Sequence, residues 1–128
     1  MQYILDTYAW IEYFIGSKKG EAVRDLIKSN KNTLFTIENC ISELVQWCLE
    51  ENINISKVLN IVRINSEIIS VDLDDWIEAV KIKFHKRREI KDFGLMDAII
   101  LVKQEKFNCK IITGDKHFKN LSDVLFLD

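Results

Sequence analysis

Apolar residues along the chain follow two patterns, short β-branched or aromatic runs and longer stretches with helical spacing. The short runs are bounded by turn or capping residues and predict strands at Tyr3–Leu5, Thr33–Thr36, Ile68–Val71, Lys110–Thr113 and Val124–Leu127. Between them, apolar residues recur every three or four positions and predict helices over Thr7–Ile15, Lys19–Ser29, Ile37–Glu51, Ile55–Asn65, Leu73 to about Arg88, and Leu95–Glu105. Because strands alternate with helices, the pattern favours a layered α/β fold with a mainly parallel sheet.

Composition and length indicate a single folded unit. The chain has 128 residues, no proline, four glycines and no internal repeat, so we expect residues 1–128 to form one domain. Its three cysteines form no CxxC pair, which argues against a disulfide framework or a cysteine zinc site and favours a reducing cytoplasm. No apolar run reaches the ~18 residues of a membrane span, so neither a membrane-inserted nor a secreted protein is expected.

The charge balance limits how the protein would bind a polyanion. Its 18 basic and 20 acidic residues give a formal net charge of −2. Attraction over the whole surface would therefore not hold a nucleic acid, and a local basic patch or a metal ion would have to supply the positive charge.

Four acidic residues occur where an α/β fold could bring them to one edge of its sheet. Asp6 and Asp115 close two of the predicted strands. Asp97 lies in the first turn of an apolar helix, and Glu43 lies at the border of a buried helix sector. Ligands of such sheets bind beyond the carboxyl ends of the strands, and converging carboxylates repel one another unless a cation lies between them.

Each of these acids also has a purely local explanation. Asp6 is a good helix cap, Asp97 suits the positive end of a helix dipole, and Asp115 after Gly114 is ordinary turn chemistry. Glu43 would equally suit a solvated helix flank. Taken together, the four favour a cation, and oxygen ligands without a cysteine or histidine cluster suit Mg²⁺, with Mn²⁺ as the alternative. Phosphate-ester chemistry by metal-activated water follows from such a site.

Four motifs, in this order, resemble those of PIN domains, and within them the small VapC-type toxins of toxin–antitoxin pairs. The motifs are Asp6-Thr7 after an apolar strand, Ser42-Glu43-Leu44 on a helix, Gly94-Leu95-Met96-Asp97-Ala98-Ile99-Ile100 at the start of another, and Thr113-Gly114-Asp115-Lys116-His117-Phe118. The resemblance spans nearly the whole chain. It implies a three-layer α/β/α fold with a mainly parallel sheet of about four or five strands, and Mg²⁺-dependent cleavage of RNA that leaves a 3′-hydroxyl and a 5′-phosphate.

The resemblance also implies roles for individual residues. The acidic set, catalytic and metal-binding, would be Asp6, Glu43, Asp97 and Asp115. Thr7 and Thr113 would support these carboxylates, although helix capping and strand-end packing explain both threonines as well. Many relatives carry a further acid two positions after the last motif aspartate, where this chain has His117. The number of bound metal ions therefore stays open.

The densest basic segment runs from Lys81 to Lys91 and precedes Asp97 closely. Within it, Lys86, Arg87 and Arg88 are the candidate contacts to substrate phosphates, and His117, from outside the segment, is a further candidate hydrogen-bond donor. A solvated helix face is the alternative interpretation of this run.

The resemblance implies three partners, namely an RNA substrate (tRNA, rRNA or mRNA), a second copy of the chain in a homodimer, and a cognate antitoxin protein. An exposed part of the Trp10-Tyr13-Phe14 face, or of the segment 53–64, would suit such interfaces, and core packing explains both equally well.

Two other classes of enzyme are disfavoured by the sequence. An aspartyl-phosphate phosphotransferase would need a second acid two positions after Asp6, where this chain has Tyr8. A receiver domain would need a phosphorylated aspartate at the end of a middle strand, but the aspartate that follows the predicted strand Ile68–Val71 is Asp72, which caps the next helix. A PIN-like RNA-processing or scaffold subunit that is not a toxin remains the alternative function.

Overall fold

Strands and helices alternate along almost the whole chain, as the sequence predicts. A computed structural model describes residues 1–128. The strands are β1 (Gln2–Leu5), β2 (Thr33–Ile37), β3 (Glu67–Ile69), β4 (Lys110–Thr113) and β5 (Val124–Phe126). The helices are α1 (Thr7–Ile15), α2 (Lys18–Lys28), α3 (Glu38–Glu51), α4 (Ile55–Asn65), α5 (Leu73–Lys86) and α6 (Leu95–Phe107), followed by a short 3₁₀ turn at Lys116–Phe118.

All five strands form one sheet in the order β3-β2-β1-β4-β5, and every neighbouring pair is parallel. The prediction of a mainly parallel sheet with about four or five strands is therefore confirmed. From β1 the chain builds the sheet outward to β2 and β3, and it later returns to add β4 and β5 on the other side. This reversal creates a crevice at the carboxyl ends of β1 and its neighbours, where parallel sheets bind ligands.

Side-chain alternation on β1 explains the three layers. Ile4 packs into a core formed mainly with α5 and α6, whereas Tyr3 and Leu5 pack on the opposite face with residues of α1 to α4. Successive strand residues point to opposite faces, so a strand that carries buried apolar residues on both faces needs helices on both sides. The Trp10-Tyr13-Phe14 aromatic cluster belongs to this second core, and Trp10 is fully buried.

Several element boundaries differ from the predicted ones by one or two residues. The sequence predicts that Ile37 opens α3, but Ile37 has an extended backbone and pairs with Ile69 of β3, so it extends β2. The third strand was predicted at Ile68–Val71 and ends earlier, since the N–H of Val71 donates to Glu38 Oε1 rather than to a strand. Helix α5 ends at Lys86, and Arg88 lies in the following turn.

A close helix crossing fixes α2 against α1. A Cβ atom at Gly20 would overlap the backbone of Glu12, so only glycine permits this approach. No helix of the fold has both the length and the apolar character needed to cross a membrane.

Candidate metal centre

Asp6 is the most deeply buried acid at the sheet edge. It follows β1 and caps α1, where its Oδ1 accepts the backbone N–H of Ala9 at 2.9 Å. Its other oxygen accepts a short hydrogen bond from the Thr113 hydroxyl. Burial raises the pKa of Asp6 to about 7; the hydrogen bonds from Thr113 and Ala9 oppose this rise, and the charges of Asp115 and Glu43 add to it. The fold thus holds a carboxyl group where its ionised form lacks a counter-charge.

Thr113 joins the two strand ends that carry the aspartates. It is the last residue of β4 and is fully buried. While its hydroxyl donates to Asp6, the same oxygen accepts the backbone N–H of Asp115 at 2.9 Å. Asp115 is thereby held next to Asp6, at the carboxyl end of the neighbouring strand.

Asp97 serves as both a helix cap and a member of the cluster. It is the third residue of α6, and its Oδ2 accepts the backbone N–H of the N-cap residue Gly94 at 2.8 Å. The same oxygen lies 2.8 Å from His117 Nδ1. Asp97 thus lies in the first turn of α6, and this position is compatible with a role in the site.

His117 is the residue that brings Asp97 and Asp115 together. It lies in the 3₁₀ turn after β4, where its backbone N–H donates to Asp115 Oδ1 at 2.9 Å. Its Nδ1 is 3.5 Å from that oxygen, and the ring packs near Phe93. Ligand atoms of Asp97, Asp115 and His117 all lie within 4.8 Å of one another. The sequence suggested only phosphate contact for His117, because its pairing with Asp97 spans twenty residues.

Glu43 reaches the site from α3. Its Oε1 accepts a hydrogen bond from the Thr7 hydroxyl at 3.0 Å. Burial raises the pKa of Glu43 above its ordinary value, the Thr7 hydrogen bond opposes this shift, and the charges of Asp97 and Asp115 add to it. The structure therefore couples Glu43 to the cluster through its charge.

Cys40 lies beside Thr7 but does not offer a thiolate. The Thr7 hydroxyl is 3.1 Å from Cys40 Sγ. Burial raises the pKa of Cys40 far above its usual range, so the thiol stays neutral.

The donor atoms fit a hard divalent cation. Asp97, Asp115 and Glu43 each keep one carboxylate oxygen outside the hydrogen bonds described above. The buried Oδ1 of Asn39 has no hydrogen-bond partner, and Asn39 lines a small cavity together with Asp6 and Glu43. Carboxylate and amide oxygens are ligands that suit Mg²⁺ and Mn²⁺.

Asn39 is a site residue that the sequence analysis missed. It lies four positions before Glu43 on α3, so the two side chains share a helix face. The spacing shows only that Asn39 lies near Glu43, and its unpartnered oxygen becomes apparent once burial is known.

The predicted basic residues each contact groups other than the four acids. Arg87 Nε donates to the backbone oxygen of Phe93 at 2.9 Å, and the Arg88 guanidinium lies 5.6 Å from the Phe84 ring centre. Lys86 lines a separate cavity with Ile82 and Gln104. None of the three forms an ion pair with the acidic set.

Comparison with known proteins places these features in a family context. A family model described as the PIN domain matches residues 3–124. No curated protein matches the sequence significantly.

Three solved structures that share the fold are distant from this chain in sequence. A toxin–antitoxin complex from Klebsiella pneumoniae has 20% identity and a TM-score of 0.74 over 98% of each chain. A VapBC complex from Rickettsia felis, bound to a DNA fragment from its promoter, has 18% identity and a TM-score of 0.75 over 100% of each chain. A sarcin–ricin-loop-cleaving VapC toxin from Mycobacterium tuberculosis has 15% identity and a TM-score of 0.76 over 95% of this chain and 96% of the toxin. At these identities the likeness concerns the fold.

Proposed function

The chain belongs to the PIN-domain family, and from that premise we propose that it is a metal-dependent endoribonuclease, the toxin of a VapBC-type toxin–antitoxin pair. One observation carries the proposal. Asp97, Asp115 and His117 converge beside Asp6 at the carboxyl ends of β1 and β4, where a parallel sheet binds its ligand.

The acidic set is proposed to hold Mg²⁺, or Mn²⁺ in its place. Asp6, Asp97 and Glu43 would be the main ligands, and Asp115 would help to bind or orient the ion. A divalent ion bound there would lower the pKa of a water molecule and offset negative charge on a phosphodiester.

Residues around the carboxylates would hold them in place during the reaction. Thr113 restrains Asp6 and the backbone of Asp115, and Thr7 restrains Glu43. His117 restrains Asp97 through its Nδ1. Such outer contacts fix ligand orientation, so we expect their loss to weaken metal binding about 10- to 100-fold.

The partners follow from the same proposal. The structural neighbours from Klebsiella and Rickettsia are toxin–antitoxin complexes, which supports a cognate antitoxin for this chain, and both proteins would act in the cytoplasm. A homodimer is also proposed, with α5 as its contact surface, because this helix exposes four large apolar side chains on one face. They are Leu73, Ile77, Val80 and Phe84.

A cleavage assay tests the proposed activity. Wild-type protein should cleave RNA in a total-RNA sample with Mg²⁺ or Mn²⁺ and stop when EDTA is added. Asp6→Asn and Asp97→Asn should each reduce the rate about 100-fold or more, because each removes a charged ligand. Asp92→Asn is the matched control, since Asp92 is an exposed acid just before α6.

Metal binding provides a second readout that does not depend on finding the right RNA. Titration calorimetry with Mn²⁺ should show binding to the wild type and to Asp92→Asn, and much weaker binding to Asp97→Asn. A wild type that neither binds metal nor cleaves RNA would instead support a scaffold or processing subunit that keeps the fold.

A further inference from the structure

A second cleft opens beside the candidate metal centre, on the side of β4 and β5. Its volume is about 700 Å³, within the ~300–1,000 Å³ range of ligand-binding clefts. Asp115 and His117 belong to its wall, so it is continuous with the acidic cluster. The other side chains that matter here are Tyr8, Lys19, Lys116, Lys119 and Phe126.

Three lysines give this cleft a basic character that the linear sequence does not reveal. Lys116 and Lys119 are exposed, and neither forms an ion pair. Lys19 Nζ donates to the Tyr8 hydroxyl at 3.0 Å, which holds its ammonium group at the cleft wall. The opposing charges in the lining are Asp115, which belongs to the metal centre, and Asp128.

Two aromatic rings line the same cleft. Tyr8 packs so closely on the backbone of Gly114 that a Cβ atom there would overlap its ring, so the ring is fixed beside Asp115. The Phe126 ring lies 5.5 Å from Lys119 Nζ. Cations interleaved with aromatic faces are the pattern by which proteins hold unpaired nucleotides, whose phosphates need charge and whose bases stack.

We propose that this cleft binds a single-stranded stretch of the RNA next to the cleaved phosphodiester, with Lys19, Lys116 and Lys119 on phosphates and Phe126 stacking against an unpaired base. The inference rests on the proposed nuclease function and assigns its substrate contacts to these residues rather than to Lys86, Arg87 and Arg88. A base in a duplex is already stacked, so the aromatic wall favours an unpaired segment.

Salt-dependent binding tests the proposal. Binding of a fluorescent 12-nucleotide single-stranded RNA is measured in EDTA at several salt concentrations, so that no metal-dependent cleavage occurs. The double variant Lys116→Gln with Lys119→Gln should lower the slope of log affinity against log salt by about 1.4, because each lost phosphate contact removes about 0.7. Phe126→Leu should weaken binding about fivefold or more with little change in slope.

Lys110→Gln is the matched control, since Lys110 is exposed at the opposite end of β4. Thermal unfolding checks that each variant folds. Wild-type affinity and slope in the double variant, or an equal loss in Lys110→Gln, would overturn the proposal.

The outcome separates this inference from the proposed activity. If Asp97→Asn abolishes RNA cleavage while the lysine variants bind as the wild type does, the nuclease stands and the cleft assignment fails. If the wild type cleaves no RNA but the slope still depends on the lysines, the cleft assignment stands and the nuclease fails. Weaker binding of a double-stranded RNA of the same length is expected, and equal or stronger binding would contradict the single-strand assignment.

Discussion

The carboxylates of Asp6 and Asp97 each cap a helix and also belong to the acidic cluster. Each accepts a backbone N–H that a helix start would otherwise leave without a partner, at Ala9 and at Gly94 respectively. Each also lies among other acids, whose charges make the local electrostatic potential more negative. Capping fixes the direction of the side chain, and the remaining lone pairs can serve a cation. At the scale of the residue, capping and metal binding are therefore compatible.

The pKa of Asp6 predicts how the metal-free protein responds to pH. The folded pKa is raised to about 7, so folding binds a proton, and stability should fall as pH rises from about 4 to about 7 before levelling off. Asp6→Asn keeps a good helix cap and removes the ionisation. The variant should therefore be more stable than the wild type at pH 8, by on the order of 2 kcal/mol, and lose this advantage near pH 4. Urea unfolding in EDTA measures both.

Asp25→Asn is the control for this comparison, because Asp25 is exposed on α2. Added Mn²⁺ should stabilise the wild type more than Asp6→Asn. A lower stability of Asp6→Asn at pH 8 in EDTA would show that the ionised carboxylate is well accommodated and would contradict the prediction.

Helices α5 and α6 are joined by a buried ionic contact far from the candidate site. Asp75 is in the first turn of α5, and its Oδ2 lies 2.6 Å from Lys103 Nζ on α6. Lys106 Nζ lies 2.7 Å from the other oxygen, and Asp72 completes a capping box with Asp75. Burial would raise the pKa of Asp75, but the hydrogen bonds from Lys103, Lys106 and the Asp72 backbone outweigh it and hold the pKa below its usual range.

This contact predicts a loss of stability in acid. Because the folded pKa of Asp75 is lowered, its contribution is fully present above about pH 4, the unfolded value, and is lost as pH falls below it. Asp75→Asn should lower the free energy of unfolding at pH 7 by on the order of 2 kcal/mol, since it leaves Lys103 buried without a counter-charge. The cost should shrink progressively below pH 4, because the unfolded wild type then takes up a proton at Asp75 that the folded protein, with its lowered pKa, does not bind.

Asp74→Asn is the matched control, because Asp74 is exposed and directly precedes Asp75. Denaturant unfolding of both variants between pH 2.5 and 7 provides the measurement. Equal effects of the two substitutions would mean that the first-turn charge on α5, rather than the buried contact, is responsible.

At the scale of the whole molecule, α5 is apolar on two sides. One side packs on the core through Ala79 and Trp76. On the other side Leu73 is 74% exposed and Phe84 is 66% exposed, and Ile77 and Val80 continue the same stripe at helical spacing. The first half of the helix surface carries Asp74 and Glu78 and the second half carries Lys81, Lys83 and Lys86. Two copies packed antiparallel would therefore oppose unlike charges, which favours a symmetric dimer.

The proposed dimer is tested by sedimentation equilibrium. Ile77→Lys with Val80→Lys should weaken self-association about 100-fold or more, because each buried apolar side chain is lost twice in a symmetric interface. Leu49→Lys is the control, since Leu49 is an apolar residue 68% exposed on α3. A monomeric wild type, or a double variant that dimerises normally, would contradict the prediction.

The sequence predicted all five strands and six helices, because apolar spacing reports directly which faces are buried. It did not predict the 3₁₀ turn at Lys116–Phe118, whose three residues are too few to show a period. It also named Asp97, Asp115 and His117, which the structure brings together, but gave no reason for His117 to contact Asp97. It missed Asn39, whose unpartnered oxygen is visible only once burial is known.

The sequence by itself determined the alternation of elements and the position of the acids at strand and helix ends, since both depend on local spacing and capping. Only the tertiary structure decided which groups meet. The Thr113–Asp6 contact spans 107 residues, and the basic wall of the second cleft combines Lys19 with Lys116 and Lys119. The sequence draws attention to Lys86, Arg87 and Arg88 because a charge run is visible along a chain, whereas charges that a parallel sheet brings together come from distant segments. Burial is likewise decided by tertiary packing. In the sequence the apolar stripe of α5 looks like a core face, and only the fold shows that it is exposed.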